Sequence, residues 1–151
     1  MDIFNKDFKD FIICLNKHDV EYVLVGGYAV AIRGYSRSTG DLDVYVNKTE
    51  KNYVKLRRAM AEFGFPSMAI PDSQFFSDLL DVFSFGRPPN AIDILTAMKG
   101  VLFEEAFSKA TFEKVDGIEI KVIHINHLLA AKKAAGRHKD LNDIENLPPA
   151  E

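Results

Sequence analysis

The sequence predicts an α+β fold in one domain, and three features carry that expectation. Short β-branched and aromatic runs alternate with amphipathic stretches of helical period. An Asp116-Gly117 pair joins two such runs in the pattern of a hairpin, and 151 residues with 47% apolar content suffice for one ordinary core. Residues 1–151 are therefore expected to fold as a single unit.

Taken in order, Phe4, Phe8, Phe11, Ile12 and Leu15 recur at helical spacing as far as Lys17, giving a helix with one apolar face. Tyr22 to Val25 suits a buried strand, which Gly26-Gly27 ends where a sharp turn or close backbone approach is needed. Tyr28 to Ile32 can open a helix, and Asp41 to Val46 reads as the next strand. Asn47 and Thr49 offer caps to a helix whose buried face is Tyr53, Leu56, Met60 and Phe63, with Gly64 ending it. The prolines between Phe65 and Asp72 mark a loop. A short helix over Phe75 to Leu80, capped by Asp72 or Ser73, and a strand over Asp81 to Phe85 follow. Gly86 to Asn90 is a connection leading into an apolar run, Ala91 to Leu95, interrupted by Asp93. Val101 to Ala110 is expected to be helical, followed by the hairpin of Phe112 to Val115 and Ile118 to Ile123. Asn126 is expected to cap a helix over Leu128 to Ala135 that stops at Gly136, a last helix follows, and the tail from Pro148 should fray.

A net charge of -3 and a pI near 5.8 argue against a general polyanion-binding surface, while leaving room for local basic patches. The single cysteine, Cys14, has no partner for an intramolecular disulfide and falls on the apolar pattern of the first helix, as a buried structural residue would. With no charged-then-apolar leader and no apolar run of membrane-spanning length, the chain reads as cytoplasmic and not membrane-bound. His124 and His127 stand three apart, but no cysteine or further histidine cluster completes a zinc site around them.

Chemistry concentrates between Val25 and Asp43. In a strand, Asp41, Asp43 and Tyr45 share one face and Leu42, Val44 and Val46 the other, so two carboxylates about 7 Å apart at the backbone point the same way. Unneutralised beside a core they would be costly, and Mg²⁺, which favours a few carboxylates plus phosphate oxygens, relieves that cost. The glycines before Tyr28 would leave backbone N–H groups free for phosphate. Asp93, flanked by isoleucines, needs a partner: it ends its strand, pairs with a lysine or joins a site.

Val25-Gly26-Gly27, thirteen intervening residues and then Asp41-Leu42-Asp43 resemble the signature of the nucleotidyltransferase superfamily that includes polymerase beta-like enzymes. The fuller string with Arg37 and Thr39 looks like the bacterial branch that holds abortive-infection type toxins. Leu129, Lys132, Ala135-Gly136-Arg137, Lys139-Asp140 and Asp143 resemble that branch's C-terminal motif. The branch often has His where Arg33 stands, so the resemblance assigns position 33 no role. It implies a mixed sheet flanked by helices, and a third carboxylate on a neighbouring strand that completes a metal site and acts as base. Asp93 matches that position and Asp81 is the second choice. By this resemblance Asp41, Asp43 and Asp93 hold Mg²⁺ or Mn²⁺, and Gly26, Gly27, Arg37, Thr39, Lys132 and Lys139 bind the nucleotide. Asp140 and Asp143 cap the last helix or support the lysines.

The implied reaction moves a nucleoside monophosphate from a nucleoside triphosphate to an acceptor hydroxyl on tRNA, protein or a small molecule. A toxin role would add an antitoxin as partner. Two alternatives stand beside it: a non-catalytic nucleotide- or protein-binding module on the same fold, and a metal-dependent hydrolase using the same carboxylates.

Overall fold

A computed structural model describes residues 2–66 and 68–151, so Ser67 of the expected loop lies outside the described residues. Helix α1 (Lys6–Lys17) begins where the Asn5 side chain accepts the Phe8 N–H at 2.8 Å, and it buries Phe8, Phe11, Ile12 and Leu15 as its periodicity requires. Strand β1 (Tyr22–Val25) is buried throughout and runs directly into α2 (Gly26–Ile32). After a loop come β2 (Leu42–Val46) and α3 (Glu50–Phe63), the latter capped by the Thr49 hydroxyl and ended by left-handed Gly64. The remaining elements are α4 (Asp72–Phe75), β3 (Val82–Phe85), β4 (Ile92–Leu95), α5 (Phe103–Lys109), β5 (Thr111–Val115), β6 (Ile118–Val122), α6 (Ile125–Ala135) and α7 (His138–Asn146).

The strands form one mixed sheet in the order β3-β4-β2-β1-β6-β5. β1 runs antiparallel to β2 and parallel to β6, while β4 runs parallel to β2 and antiparallel to β3. β5 and β6 form the hairpin, turning at Asp116 (φ 52°) and Gly117 (φ 82°) in the left-handed conformation that a two-residue primed turn requires. Asp116 also accepts the N–H groups of Ile3 at 3.1 Å and Phe4 at 2.8 Å, which ties the N-terminal segment to the hairpin.

Alternation sorts the side chains of β2, β4 and β3 onto two faces. Leu42, Val44, Ile92, Ile94 and Phe83 are buried on one, where the Phe65 ring lies 4.8 Å from Phe85 and Phe63 lies 5.3 Å from Phe11 of α1. The other carries Asp43, Tyr45, Asp93 and Leu95. Here Phe103 of α5 stands edge-on to Tyr45 at 5.3 Å, and the Tyr45 hydroxyl donates to the Val101 carbonyl at 3.0 Å.

Three local expectations are corrected. The short helix spans Asp72–Phe75, starting after Pro71, rather than Phe75 to Leu80. Leu79 is 93% exposed and Leu80 is exposed too, so that segment has no apolar face to bury. The cap of α6 is His124, whose Nδ1 accepts the Asn126 N–H at 3.0 Å, leaving Asn126 for another partner. That partner is the tail, which is held rather than frayed: the Glu151 N–H donates to Asn126 at 2.8 Å and its carboxylate lies 3.1 Å from His124 Nε2. Arg33, left without a role by the sequence, is a structural clip: its guanidinium donates to the carbonyls of Ile123 at 2.9 Å and Val122 at 3.1 Å and to the Thr111 hydroxyl at 2.8 Å. Cys14 is buried, and burial pushes its thiol up. Among the described residues, no helix is long and apolar enough to cross a membrane.

Candidate active site

The chain leaves β1 at Val25, which lies opposite Asp43 in the antiparallel register, and turns at Gly26 with φ 71°. A Cβ at Gly26 would overlap the Asp43 carboxylate, and one at Gly27 would overlap the Thr39 hydroxyl with the Arg37 guanidinium 3.5 Å away. Gly26 is thus required twice, for its left-handed backbone and for the approach of a carboxylate to the main chain.

Parallel pairing of β2 with β4 sets Asp43 directly beside Asp93, and Asp93 lies opposite Ser84 of β3. Burial pushes the Asp43 carboxyl up to about 7, and the charge and hydrogen bond of Asp93 add to the shift. Asp41 borders the same cleft, but its Oδ1 accepts the Ala91 N–H at 3.0 Å. Among the described residues, no group of three or more His, Cys, Asp and Glu side chains is drawn together as a metal cage. The close pair is Asp43 with Asp93, because Asp41 is engaged by the backbone where β4 begins.

The opposite wall comes from α6, α7 and the loop before β2. Lys132 is only 8% exposed and lies 3.3 Å from Asp140 and 3.1 Å from Asp143, both of which are buried. Arg37 grips Asp143 with two parallel bonds, Nε to Oδ1 at 2.7 Å and a terminal nitrogen to Oδ2 at 2.9 Å. The Arg137 side chain donates to Asp140 at 2.6 Å and its N–H does so at 3.2 Å, so Asp140 reaches back from the first turn of α7 to the cap residue Arg137 as well as supporting the lysine. Burial pushes Asp140 and Asp143 up, but hydrogen bonds from Arg137, Arg37 and Lys132 outweigh it and hold both below their ordinary value. Three cations against two carboxylates leave this cluster with one net positive charge.

Gly26, Gly27, Arg37, Thr39, Asp41, Asp43, Asp93, Lys132 and Lys139 all border one cleft of about 660 Å³. Asp81, the second choice for a third carboxylate, does not. The resemblance had Asp140 and Asp143 capping the last helix or supporting the lysines, and both carboxylates contact Lys132; Asp143 also pairs with Arg37, a partner that nothing in the sequence indicated. The sequence reading left out Arg137, which borders the cleft and stands next to the glycine that ends α6; Lys99 does so from the loop after β4. A basic run beside a helix-ending glycine was the available signal for Arg137; nothing local marked Lys99.

The mixed sheet that carries this arrangement is the fold of solved structures of nucleotidyltransferase type. The chain superposes on a crystal structure of the lincosamide antibiotic adenylyltransferase LnuA in its lincomycin-bound form, with a TM-score of 0.59, 14% identity and 97% of each chain covered. It is similar also to an antigenic nucleotidyltransferase-like protein from Paracoccidioides brasiliensis, at a TM-score of 0.53 and 13% identity, over 93% of this chain and 73% of that one. No family model and no curated protein sequence matches the chain.

Proposed function

We propose that this protein is a nucleotidyltransferase that moves a nucleoside monophosphate from a nucleoside triphosphate to an acceptor hydroxyl on RNA, protein or a small molecule, with pyrophosphate leaving. The observation that carries the reading is the Asp43 and Asp93 pair set side by side against the Gly26 turn, facing a cationic wall across one cleft. A structural role for the pair is a poor account of it, because two adjacent partly buried carboxylates repel one another and destabilise the chain that holds them.

The donor set fits a hard divalent cation such as Mg²⁺ or Mn²⁺. Asp43 and Asp93 would be oxygen ligands on rigid strands, and burial together with the adjacent Asp93 and Asp41 carboxylates raises Asp43, a cost that a bound cation would relieve. Asp41, whose Oδ1 accepts the Ala91 N–H, would join them through its other carboxylate oxygen. Such an ion, when bound, neutralises phosphate charge and acts as a Lewis acid. The chain's own residues do the rest. Backbone N–H groups at Gly26 and Gly27, together with the Thr39 hydroxyl, orient phosphate oxygens. Arg37, Lys132, Lys139 and Arg137 offset the triphosphate charge, with Asp140 and Asp143 fixing where Lys132 and Arg37 point. Asp93 accepts the acceptor's proton. Transfers of this type are driven mainly by positioning and charge stabilisation, which such a cleft supplies.

The test is transfer from labelled nucleoside triphosphates with Mg²⁺ and a cell extract, read as pyrophosphate release and as label on a particular fraction. Asp43→Ala should abolish transfer with the fold intact, and Asp93→Asn should lower it by roughly 10²–10⁴-fold, as removal of a general base does. Wild-type protein that binds no nucleoside triphosphate by calorimetry in the presence of Mg²⁺ would refute the proposal. Nucleotide binding without pyrophosphate release would instead favour a non-catalytic module, and release of inorganic phosphate a hydrolase. A toxin role, with an antitoxin as partner, is the further reading to examine if the labelled fraction is tRNA.

A further inference from the structure

The cleft is divided by its charge. The cations that pair with Asp140 and Asp143 come from α6, from the start of α7 and, with Arg37, from the loop before β2, where Arg37 lies beside Gly27 of the glycine turn. On the far side of the Asp43 and Asp93 row, the sheet continues as Tyr45, Leu95 and Val82, in register across β2, β4 and β3. Phe103 covers Tyr45. Leu95 remains half-buried and Val82 is 46% exposed, although both border the cleft. Met98 borders the cleft just beyond Leu95, and Lys99, from the same loop after β4, is the cation that this segment brings to the cleft, whereas Pro89 lies at the other end of β4 against Gly40.

In-line transfer puts the attacking hydroxyl and the leaving pyrophosphate on opposite sides of the phosphorus. If pyrophosphate lies against the cationic wall, the acceptor approaches from the β3 and β4 end. We infer, on the basis of the nucleotidyl-transfer reading, that the acceptor is a small hydroxyl-bearing molecule with an apolar face, which rests on Leu95 and Val82 and presents its hydroxyl to Asp93. A nucleic acid acceptor needs several cations along its backbone, and this end offers one lysine beside a carboxylate pair in a chain of net charge -3. An apolar molecular face gains there what a polyanion would lose.

The experiment uses the whole chain with Mg²⁺ and ATP, and as probes a series of alkyl glucosides from methyl to octyl, kept below their micelle concentrations. ATP affinity is measured first, by calorimetry. The glucoside series is then titrated into the ATP-bound protein, with affinity expected to rise by up to roughly fourfold per added methylene that reaches the patch. Val82→Asp should flatten that series and leave ATP affinity within about twofold, because residue 82 is on the edge strand β3 and the ion pairs of Arg37, Lys132 and Arg137 are made with Asp140 and Asp143 of α7. Val82→Ser serves the same purpose where an aspartate unsettles the edge strand, and thermal melting checks both. ATP binding with no dependence on alkyl length, or nucleotide transfer to bulk tRNA or casein, would overturn the inference while leaving the transferase reading intact. Failure to bind any nucleoside triphosphate would sink both.

Discussion

Two pairs of aspartates lie on facing walls of the same cleft, and they are solved in opposite ways. Asp140 and Asp143 are more deeply buried, yet three cations surround them and hold them ionised. Asp43 and Asp93 are less buried, yet they have each other for company, and Asp43 is pushed up to about 7. Burial pushes Asp43, Asp140 and Asp143 up alike, so it is the sign of the neighbours that decides which way each carboxyl finally moves. The first pair completes the fold, and the second is the part of the molecule that only a ligand would satisfy.

The largest effect expected from breaking this contrast is on stability. Asp143→Ala removes the bidentate partner of Arg37 and one of two partners of buried Lys132, and should destabilise the chain by about 3–5 kcal/mol in a urea titration. Asp43→Asn should have the opposite sign without metal, raising stability by about 1–2 kcal/mol above neutral pH, where solvent screens the partly exposed carboxyl. Equal losses in the two variants would erase the distinction.

Gly26→Ala comes next. It should lower stability by about 1–3 kcal/mol and remove nucleotidyl transfer, since the added methyl meets the Asp43 carboxylate at a left-handed φ. Normal transfer in that variant would show that the turn is not part of the site.

The pH dependence sharpens the comparison further. Folded Asp43 keeps its proton up to about 7 and the unfolded chain releases it near 3.8, so this residue makes stability fall as pH rises between those values. Asp140 and Asp143 are held below 3.8, so the stability they contribute is present above that value and is lost as pH falls from it through their lower folded values. Urea titrations across both windows should find the first slope missing in Asp43→Asn and the second weakened in Asp143→Asn.

The smallest expected effect is that of Arg137→Ala, within about 1 kcal/mol of wild type, because its side chain is 61% exposed and solvent screens its pair with Asp140. Nucleotide affinity, measured by calorimetry, is where that substitution should be felt.

The features legible in the sequence are those set by neighbours along the chain. Alternation in β2 put Asp43 and Tyr45 on one face, helical period gave α1 and α3, and Asp116-Gly117 fixed the hairpin, whereas Asp41 falls just before the strand rather than in it. Contacts between distant segments were not legible. The bond from Arg37 to Asp143 spans 106 residues, and Asp41's engagement with the Ala91 N–H spans 50. Short competing signals also misled: Asn126 looked the better cap than His124, and Leu79 and Leu80 looked apolar enough for a helix that nothing covers.

By itself the sequence determined the local pieces: a strand stopped by two glycines, a carboxylate-bearing strand thirteen residues later, and a basic stretch around a helix-ending glycine. Only the tertiary structure decided that β4 lies parallel to β2 with Asp93 level with Asp43, and that Arg37 and Lys132 are already engaged by acids of the last helix. The physical reason is that strand period and turn chemistry act over a few residues, whereas register and ion pairing are settled by which distant surfaces bury one another.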